Sequence, residues 1–226
     1  MMPSTRFAGW DKGRPVVADV FDLGRPAQGA ATAGLDVVVA LATSAGGGLL
    51  TLDPTDGRAH RLTQVARPQR SCSCRSGDLD SRPAWSPDGR QVAFVRATSV
   101  FVMAADGSGL HRVAPASGAE DFDPAWSPSG QLAFVRSTRA EAGFDHTIVV
   151  ADRDGRHLRP LVESSRLGYS EPTWSPDGDT LAYLGGMSRP DVGGGFGLFA
   201  APLRGGPSEL LFSAASISSP RWSPDG

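Results

Sequence analysis

The sequence predicts an all-β fold assembled from repeated four-stranded antiparallel units, the blades of a β-propeller. Three observations carry this. A Trp-Ser-Pro motif recurs at Trp85, Trp126, Trp174 and Trp222, at spacings of 41, 48 and 48 residues, and one propeller blade occupies roughly 40–50 residues. Between motifs the apolar residues alternate with a period of two, as strands require, and no helix is needed to account for them. The 28 glycines and 18 prolines among 226 residues are about a fifth of the chain against a usual share of about 12%, which implies many turns and short elements.

Each element follows from its residues. In the first clear unit Pro83 to Ser86 is the innermost strand. Ser86-Pro87-Asp88-Gly89 then turns the chain, because proline presets φ at the second position and glycine tolerates positive φ at the end. Gln91 to Arg96 is the second strand, with Val92, Phe94 and Arg96 on one face and Ala93 and Val95 on the other. Val100 to Ala104 is the third, Asp106-Gly107 turns it, and Leu110 to Ala114 is the fourth. The same order recurs from Pro124 and from Pro172. A degenerate copy, without the tryptophan, runs from Asp36 through Asp56-Gly57 to Thr63. Trp10-Asp11-Lys12-Gly13-Arg14 reads as a further eroded copy. The organisation is then an N-terminal segment 1–35, a degenerate blade 36–66, blades 79–115, 120–163 and 168–213, and the start of another blade at 217–226. Because that last unit stops at its own turn, the chain is expected to be a fragment of a longer protein or an incomplete, open arc. The rival expectation is that its lone strand completes a blade with N-terminal residues.

Composition narrows the function. The 22 basic and 24 acidic residues leave a net charge of −2, so no global electrostatic case for nucleic acid exists. No stretch reaches the roughly 18 apolar residues that span a bilayer. The N-terminus has no apolar run behind its first charges, which leans the expected location to the cytoplasm. Two cysteines, Cys72 and Cys74, are too few for a disulfide framework.

The unit Asp-x-x-Pro-x-Trp-Ser-Pro-Asp-Gly-x-x-(Val/Leu)-Ala-(Phe/Tyr) resembles the TolB-like propeller repeat, also described as WD-repeat-like. Asp80, Pro83, Trp85, Ser86, Pro87, Asp88, Gly89, Ala93 and Phe94 carry it in the first clear unit. Asp121, Pro124, Trp126, Ser127, Pro128, Gly130, Ala133 and Phe134 carry it in the second, where Ser129 stands in the aspartate position. Pro172, Trp174, Ser175, Pro176, Asp177, Gly178, Ala182 and Tyr183 carry it in the third. The resemblance implies a propeller and relatives outside the cytoplasm. It extends to the Tol translocation protein, to gating domains of prolyl-oligopeptidase-like peptidases and to many bacterial proteins of other roles. A fold does not dictate a function. The tryptophans and Ser-Pro-Asp-Gly turns are read as structure, packing one blade on the next.

Meander topology sorts the connections. The first-to-second and third-to-fourth turns share one face, and the second-to-third and fourth-to-first connections share the other. The first pair are short. The second vary: 136–146 and 185–197 between second and third strands, 64–79 and 163–169 between fourth and first. Varied connections over a fixed scaffold point to that face as the functional one. The inner strands enter the central channel there. Five residues before each tryptophan stand Asp80, Asp121, Tyr169 and Ile217, and three before it stand Arg82, Asp123, Glu171 and Ser219. Asp80, Arg82, Asp121, Asp123, Tyr169 and Glu171 are therefore the candidate partner-binding channel mouth, suited to a cationic group, a peptide or a metal. A solvated polar rim is the plainer alternative. Arg67, Arg70 and Arg75 form a separate basic loop.

Catalytic patterns are missing. No Gly-x-Ser-x-Gly elbow, His-Glu-x-x-His or Walker motif occurs in the sequence. His60, His111 and His157 fall after the Asp-Gly turns on outer strands, too far apart for one metal, and His146 stands near a third strand. Cys72-Ser73-Cys74 supplies two thiolates without a second pair, Gly193-Gly194-Gly195 reads as a loop, and Asp152-Arg153-Asp154-Gly155 is a turn. The expected function is a non-catalytic scaffold that binds a protein or peptide through the long-connection face, with no cofactor and no metal. One alternative is the gating propeller of a prolyl-oligopeptidase-like serine peptidase whose catalytic domain lies outside this chain. The other is a small-ligand or sugar-binding propeller.

Overall fold

The computed structural model describes residues 8–11, 14–17, 37–43, 46–52, 59–66, 80–114, 118–141, 143–163, 168–189 and 193–226. Every regular element among them is a strand. A hairpin, β1 (Ala8–Asp11) and β2 (Arg14–Val17), stands by itself as a two-stranded sheet. Blade 1 contains β3 (Val37–Thr43), β4 (Gly46–Leu52), β5 (Ala59–Arg61) and β6 (Val65–Ala66), with β5 and β6 both pairing with β4. Blade 2 is β7 (Ser81–Trp85), β8 (Gln91–Arg96), β9 (Ser99–Ala104) and β10 (His111–Arg112). Blade 3 is β11 (Ala119–Trp126), β12 (Leu132–Ala140), β13 (Gly143–Ala151) and β14 (Arg159–Glu163). Blade 4 is β15 (Tyr169–Trp174), β16 (Thr180–Arg189), β17 (Gly193–Pro202) and β18 (Glu209–Ala214). Blades 2 to 4 are antiparallel meanders in sequence order. The innermost strands β7, β11 and β15 lie side by side.

The alternation read from the sequence sets where the core sits. Val92, Phe94 and Met103 pack with Leu49 of blade 1, whereas Ala93, Val95, Val100 and Val102 pack with Leu132 and Phe134 of blade 3. Blade 3 repeats the division: Ala133, Val135, Ile148 and Val150 face Trp174, Leu181 and Tyr183 of blade 4. Blades 2 and 3 are buried on both faces, so their strands carry apolar side chains at successive positions.

Local turn chemistry is repeated. Ser86 Oγ donates to Asp88 Oδ1 at 2.7 Å and accepts the Gln91 N–H at 2.9 Å, while the Gly89 N–H returns to the Ser86 carbonyl at 2.9 Å. Gly89, Gly130 and Gly178 hold φ of 68°, 86° and 76° at the same turn position, where a side chain would be strained. Asp177 is held below the usual carboxylate range by the Ser175 hydroxyl. The inter-blade role of tryptophan is also direct. The indole N–H groups of Trp126, Trp174 and Trp222 donate to the carbonyls of Ala84, Ala125 and Thr173 at 3.2, 3.1 and 3.1 Å. Each acceptor is the residue just before the tryptophan of the preceding unit.

Two expectations change. The fourth strand expected over Leu110 to Ala114 narrows to His111–Arg112. The connections 136–146 and 185–197 are mostly strand. β12 and β13 pair from Leu132 with Ala151 out to Ala140 with Gly143, and β16 and β17 pair from Thr180 with Pro202 out to Arg189 with Gly193. Gly193 to Gly195, read as a loop, belong to β17. Polar and glycine-rich composition hid these strands, because the hairpins run past the buried core and no longer alternate apolar with polar.

Candidate functional site

The inner strands bend at one repeated point. Arg82, Asp123, Glu171 and Ser219, each three residues before a tryptophan, have φ of 50°, 55°, 52° and 52°. Non-glycine residues rarely adopt this left-handed conformation. The strand register slips there in all three complete blades, between Ser81 and Ala84, Phe122 and Ala125, and Ser170 and Thr173. These are β-bulges, which re-aim side chains. The bulge side chains run from blade to blade. The Arg82 guanidinium contacts Asp123, Asp123 Oδ2 accepts the Glu171 N–H at 3.0 Å, and Glu171 Oε2 accepts the Ser219 N–H.

The position five before the tryptophan behaves differently. Asp80 is buried and receives Arg96 Nε at 2.5 Å and Nη2 at 2.8 Å. Thr63 of blade 1 donates its hydroxyl to the same carboxylate. Asp121 is buried and receives Arg136 Nε at 2.7 Å and Nη2 at 2.9 Å. The Arg136 Nη2 also reaches the Ala114 carbonyl of blade 2 at 2.9 Å. The arginines are seated over aromatic rings, Arg96 at 5.2 Å from Phe94 and 5.7 Å from Phe101, and Arg136 at 5.5 Å from Phe134. In blade 4 the corresponding pair is Tyr169 opposite Gly185. The Tyr169 ring meets Tyr183 edge-on at 5.1 Å, and Tyr183 stacks on Phe199 at 5.4 Å.

The six sequence-selected residues thus separate into two sets. Asp80 and Asp121 are each gripped by two guanidinium nitrogens of their own blade, and Tyr169 packs in an aromatic cluster. Arg82, Asp123 and Glu171 form the inter-blade chain. Asp123 is buried, and its cationic partner is the exposed one. Its side chain is 5% exposed, while Arg82, whose guanidinium meets its Oδ1, is 58% exposed. Burial pushes the Asp123 carboxyl up, against the lowering effect of Arg82. The sequence reading missed Arg96 and Arg136. Their signal was present, since each follows the Ala-Phe-Val run of its second strand.

Among the other selected residues, His60 and His111 lie in β5 and β10 and His157 precedes β14, all exposed. His146 lies in β13 with its ring 6.3 Å from Phe122. Among the described residues no three His, Cys, Asp or Glu side chains gather in a metal-holding group. Cys72, Cys74, Arg67, Arg70, Arg75 and most of the segment 1–35 lie outside the described residues. No helix among the described residues is long and apolar enough to cross a membrane.

No family model matches the chain. An uncharacterised protein of Agrobacterium fabrum is 32% identical over 114 residues, 45% of this chain and 38% of that protein. The Tol-Pal system protein TolB of Alkalilimnicola ehrlichii is 33% identical over 92 residues, 39% of this chain and 19% of that protein. The chain therefore matches well under two thirds of either relative. Among solved structures, a TolB-type protein from Agrobacterium tumefaciens superposes with a TM-score of 0.61 at 19% identity, over 84% of this chain and 67% of that one. Puromycin hydrolase gives 0.65 at 19% identity, over 90% of this chain and 35% of that one. The propeller domain of the Trilobed protease from Pyrococcus furiosus, which has an open velcro topology, gives 0.50 at 14% identity, over 78% and 53%. These likenesses show the fold: the chain is a β-propeller of the kind seen in TolB-type proteins.

Proposed function

We propose that the chain is a non-catalytic propeller scaffold that binds a protein or peptide partner through the face bearing the long second-to-third connections. The observation that carries this is the contrast between hairpins on that face. In blade 2, β8 and β9 join through Ala97 and Thr98 alone, both at positive φ, the tight connection that suits a twisted hairpin. In blades 3 and 4 the equivalent hairpins run on for several further residue pairs, to Ala140–Gly143 and Arg189–Gly193. Two such extended hairpins on neighbouring blades offer a broad surface suited to a macromolecular partner.

The test is to shorten β12–β13 to a two-residue turn like that of blade 2 and measure binding of the partner captured by the wild-type chain. Loss of that complex with unchanged melting temperature is expected. Retained affinity overturns the reading.

A second reading is supported by the puromycin hydrolase likeness, which extends over 90% of this chain. On that reading the propeller gates a serine peptidase domain supplied elsewhere in the full protein. Its mark would be a nucleophile elbow with acid and histidine in the continuing reading frame.

A further inference from the structure

We propose that two copies of this chain interlock, segment 217–222 of one copy serving as the innermost strand of blade 1 in the other. The inference concerns the inner strands and goes beyond the partner-binding reading.

One buried donor lacks its acceptor. The indoles of Trp126, Trp174 and Trp222 donate to the carbonyls of Ala84, Ala125 and Thr173, each the residue before the tryptophan of the preceding unit. Trp85 Nε1 is buried and, among the described residues, meets no acceptor. Buried donors are ordinarily satisfied. By the pattern of the other three, the missing carbonyl belongs to the innermost strand of blade 1.

The described residues of blade 1 hold no such strand. Register matches its strands to those of blade 2. The Leu62 N–H meets the Leu49 carbonyl as the Val113 N–H meets the Val100 carbonyl, both at 2.9 Å. Leu50 stands opposite Arg61 as Phe101 stands opposite Arg112, and Val37 opposite Leu52 as Val92 opposite Met103. β4 is therefore a third strand and β3 a second strand. β8, the second strand of blade 2, has β7 on its inner side, whereas β3 pairs only with β4 among the described strands. An unpaired strand edge is a template for strand addition.

Segment 217–222 is the complementary piece. It sits on blade 4 as an innermost strand sits on its predecessor: Ser219 has φ of 52°, its N–H donates to Glu171, and Trp222 donates to Thr173 at 3.1 Å. Among the described residues it pairs with no strand. β1, the other tryptophan-bearing candidate, is already paired with β2. Blade 1 packs on blade 2, blade 2 on blade 3 and blade 3 on blade 4, so β3 and segment 217–222 stand at opposite ends of the row and a second copy brings them together. Reciprocal exchange satisfies both copies through one kind of contact. Two sets of four blades make eight, within the about 4–8 of closed propellers. In blade 2, Trp85 stands opposite Val92 and Ala84 opposite Ala93. By that register Trp222 of one copy faces Val37 of the other, Arg221 faces Val38, and the Arg221 carbonyl accepts the Trp85 N–H.

Sedimentation of the wild-type chain is expected to give twice its 23.6 kDa mass. Deleting residues 216–226 is expected to give a monomer whose Trp85 indole proton exchanges with solvent at least about tenfold faster, with that of Trp126 unchanged. Should the deletion fold poorly, disulfide trapping decides. Chains carrying Cys72→Ser/Cys74→Ser and either Val38→Cys or Arg221→Cys, told apart by size tags, are refolded together and oxidised. A disulfide joining the two chains is expected. Val39→Cys in place of Val38→Cys turns the thiol to the other face of the strand and is expected to link at least about tenfold more slowly. A monomeric wild-type chain, a dimer that survives the deletion, Trp85 exchange unmoved by it, or equal trapping at Val38 and Val39 overturns the proposal.

Discussion

Blades 3 and 4 close the same junction by opposite means. In blade 3 the start of the inner strand is fastened to the second strand by Asp121 and Arg136, both largely buried. In blade 4 the same positions are Tyr169 and Gly185. The glycine is what permits the exchange, because a Cβ at Gly185 would come 2.9 Å from Phe199 Cε2 and 3.4 Å from Tyr169 Cδ1. A charged clamp can hold its place only with both partners present, whereas an aromatic cluster degrades gradually. Together they show that the repeat conserves a fastening point rather than a fastening chemistry.

Breaking the clamp gives the largest expected effect. Arg136→Ala strands the Asp121 charge in a buried site and is expected to cost about 3–5 kcal/mol in urea unfolding. The double variant Asp121→Tyr/Arg136→Gly imports the solution used by blade 4. It is expected to be clearly more stable than Arg136→Ala, and equal or lower stability would show that the two junctions are not interchangeable.

On the aromatic side, Gly197→Ala would place a Cβ 2.7 Å from Phe199 Cε2 and 2.8 Å from both Leu210 Cδ1 and Met187 Sδ. Overpacking of this kind costs about 1–3 kcal/mol, read as a lowered melting temperature. The inter-blade indole bond shared by both junctions is smaller. Trp174→Phe keeps most of the ring but drops the N–H to Ala125, and a loss of about 1 kcal/mol is expected.

The inter-blade chain sharpens the comparison through pH. The folded carboxyl of Asp123 lies above its ordinary value because of burial. The folded chain therefore holds this proton more tightly than the unfolded chain, and ionised Asp123 subtracts stability. That loss accrues as pH rises from the ordinary carboxylate value through the raised folded value, and is constant above it. Asp123→Asn is expected to flatten this part of the stability–pH curve, and an unchanged slope would remove Asp123 as its source. The smallest effect belongs to the exposed bridge between blade turns, Arg153 to Asp88 at 2.7 Å. Arg153→Ala is expected to change stability by less than about 1 kcal/mol, and a larger loss would mean that this rim bridge organises the turns.

Much of this architecture was legible in the residues. Gln91 to Arg96 was read as a strand and is one, because alternating Val, Ala and Phe report a sheet buried on both faces. Ser-Pro-Asp-Gly was read as a turn, and the glycine supplies the positive φ it needs. The raised hairpins escaped, since Ser137 to Ala140, Gly185 to Arg189 and Gly193 to Gly195 carry little periodic apolar signal. Their strand character comes from pairing with each other. Asp80, Arg82, Asp121, Asp123, Tyr169 and Glu171 can be picked out by their distance from tryptophan, but their partners cannot.

The sequence alone determined the strand identities, the turn chemistry and the number of tryptophan units, because each rests on residues a few positions apart. Only the tertiary structure decided which charge meets which. Asp121 finds Arg136 across a strand register, and Arg82 finds Asp123 on the next blade from positions where the inner strands bulge. Such pairings depend on strand register and on how one twisted sheet sits against the next, and neither quantity is written in any short stretch of sequence.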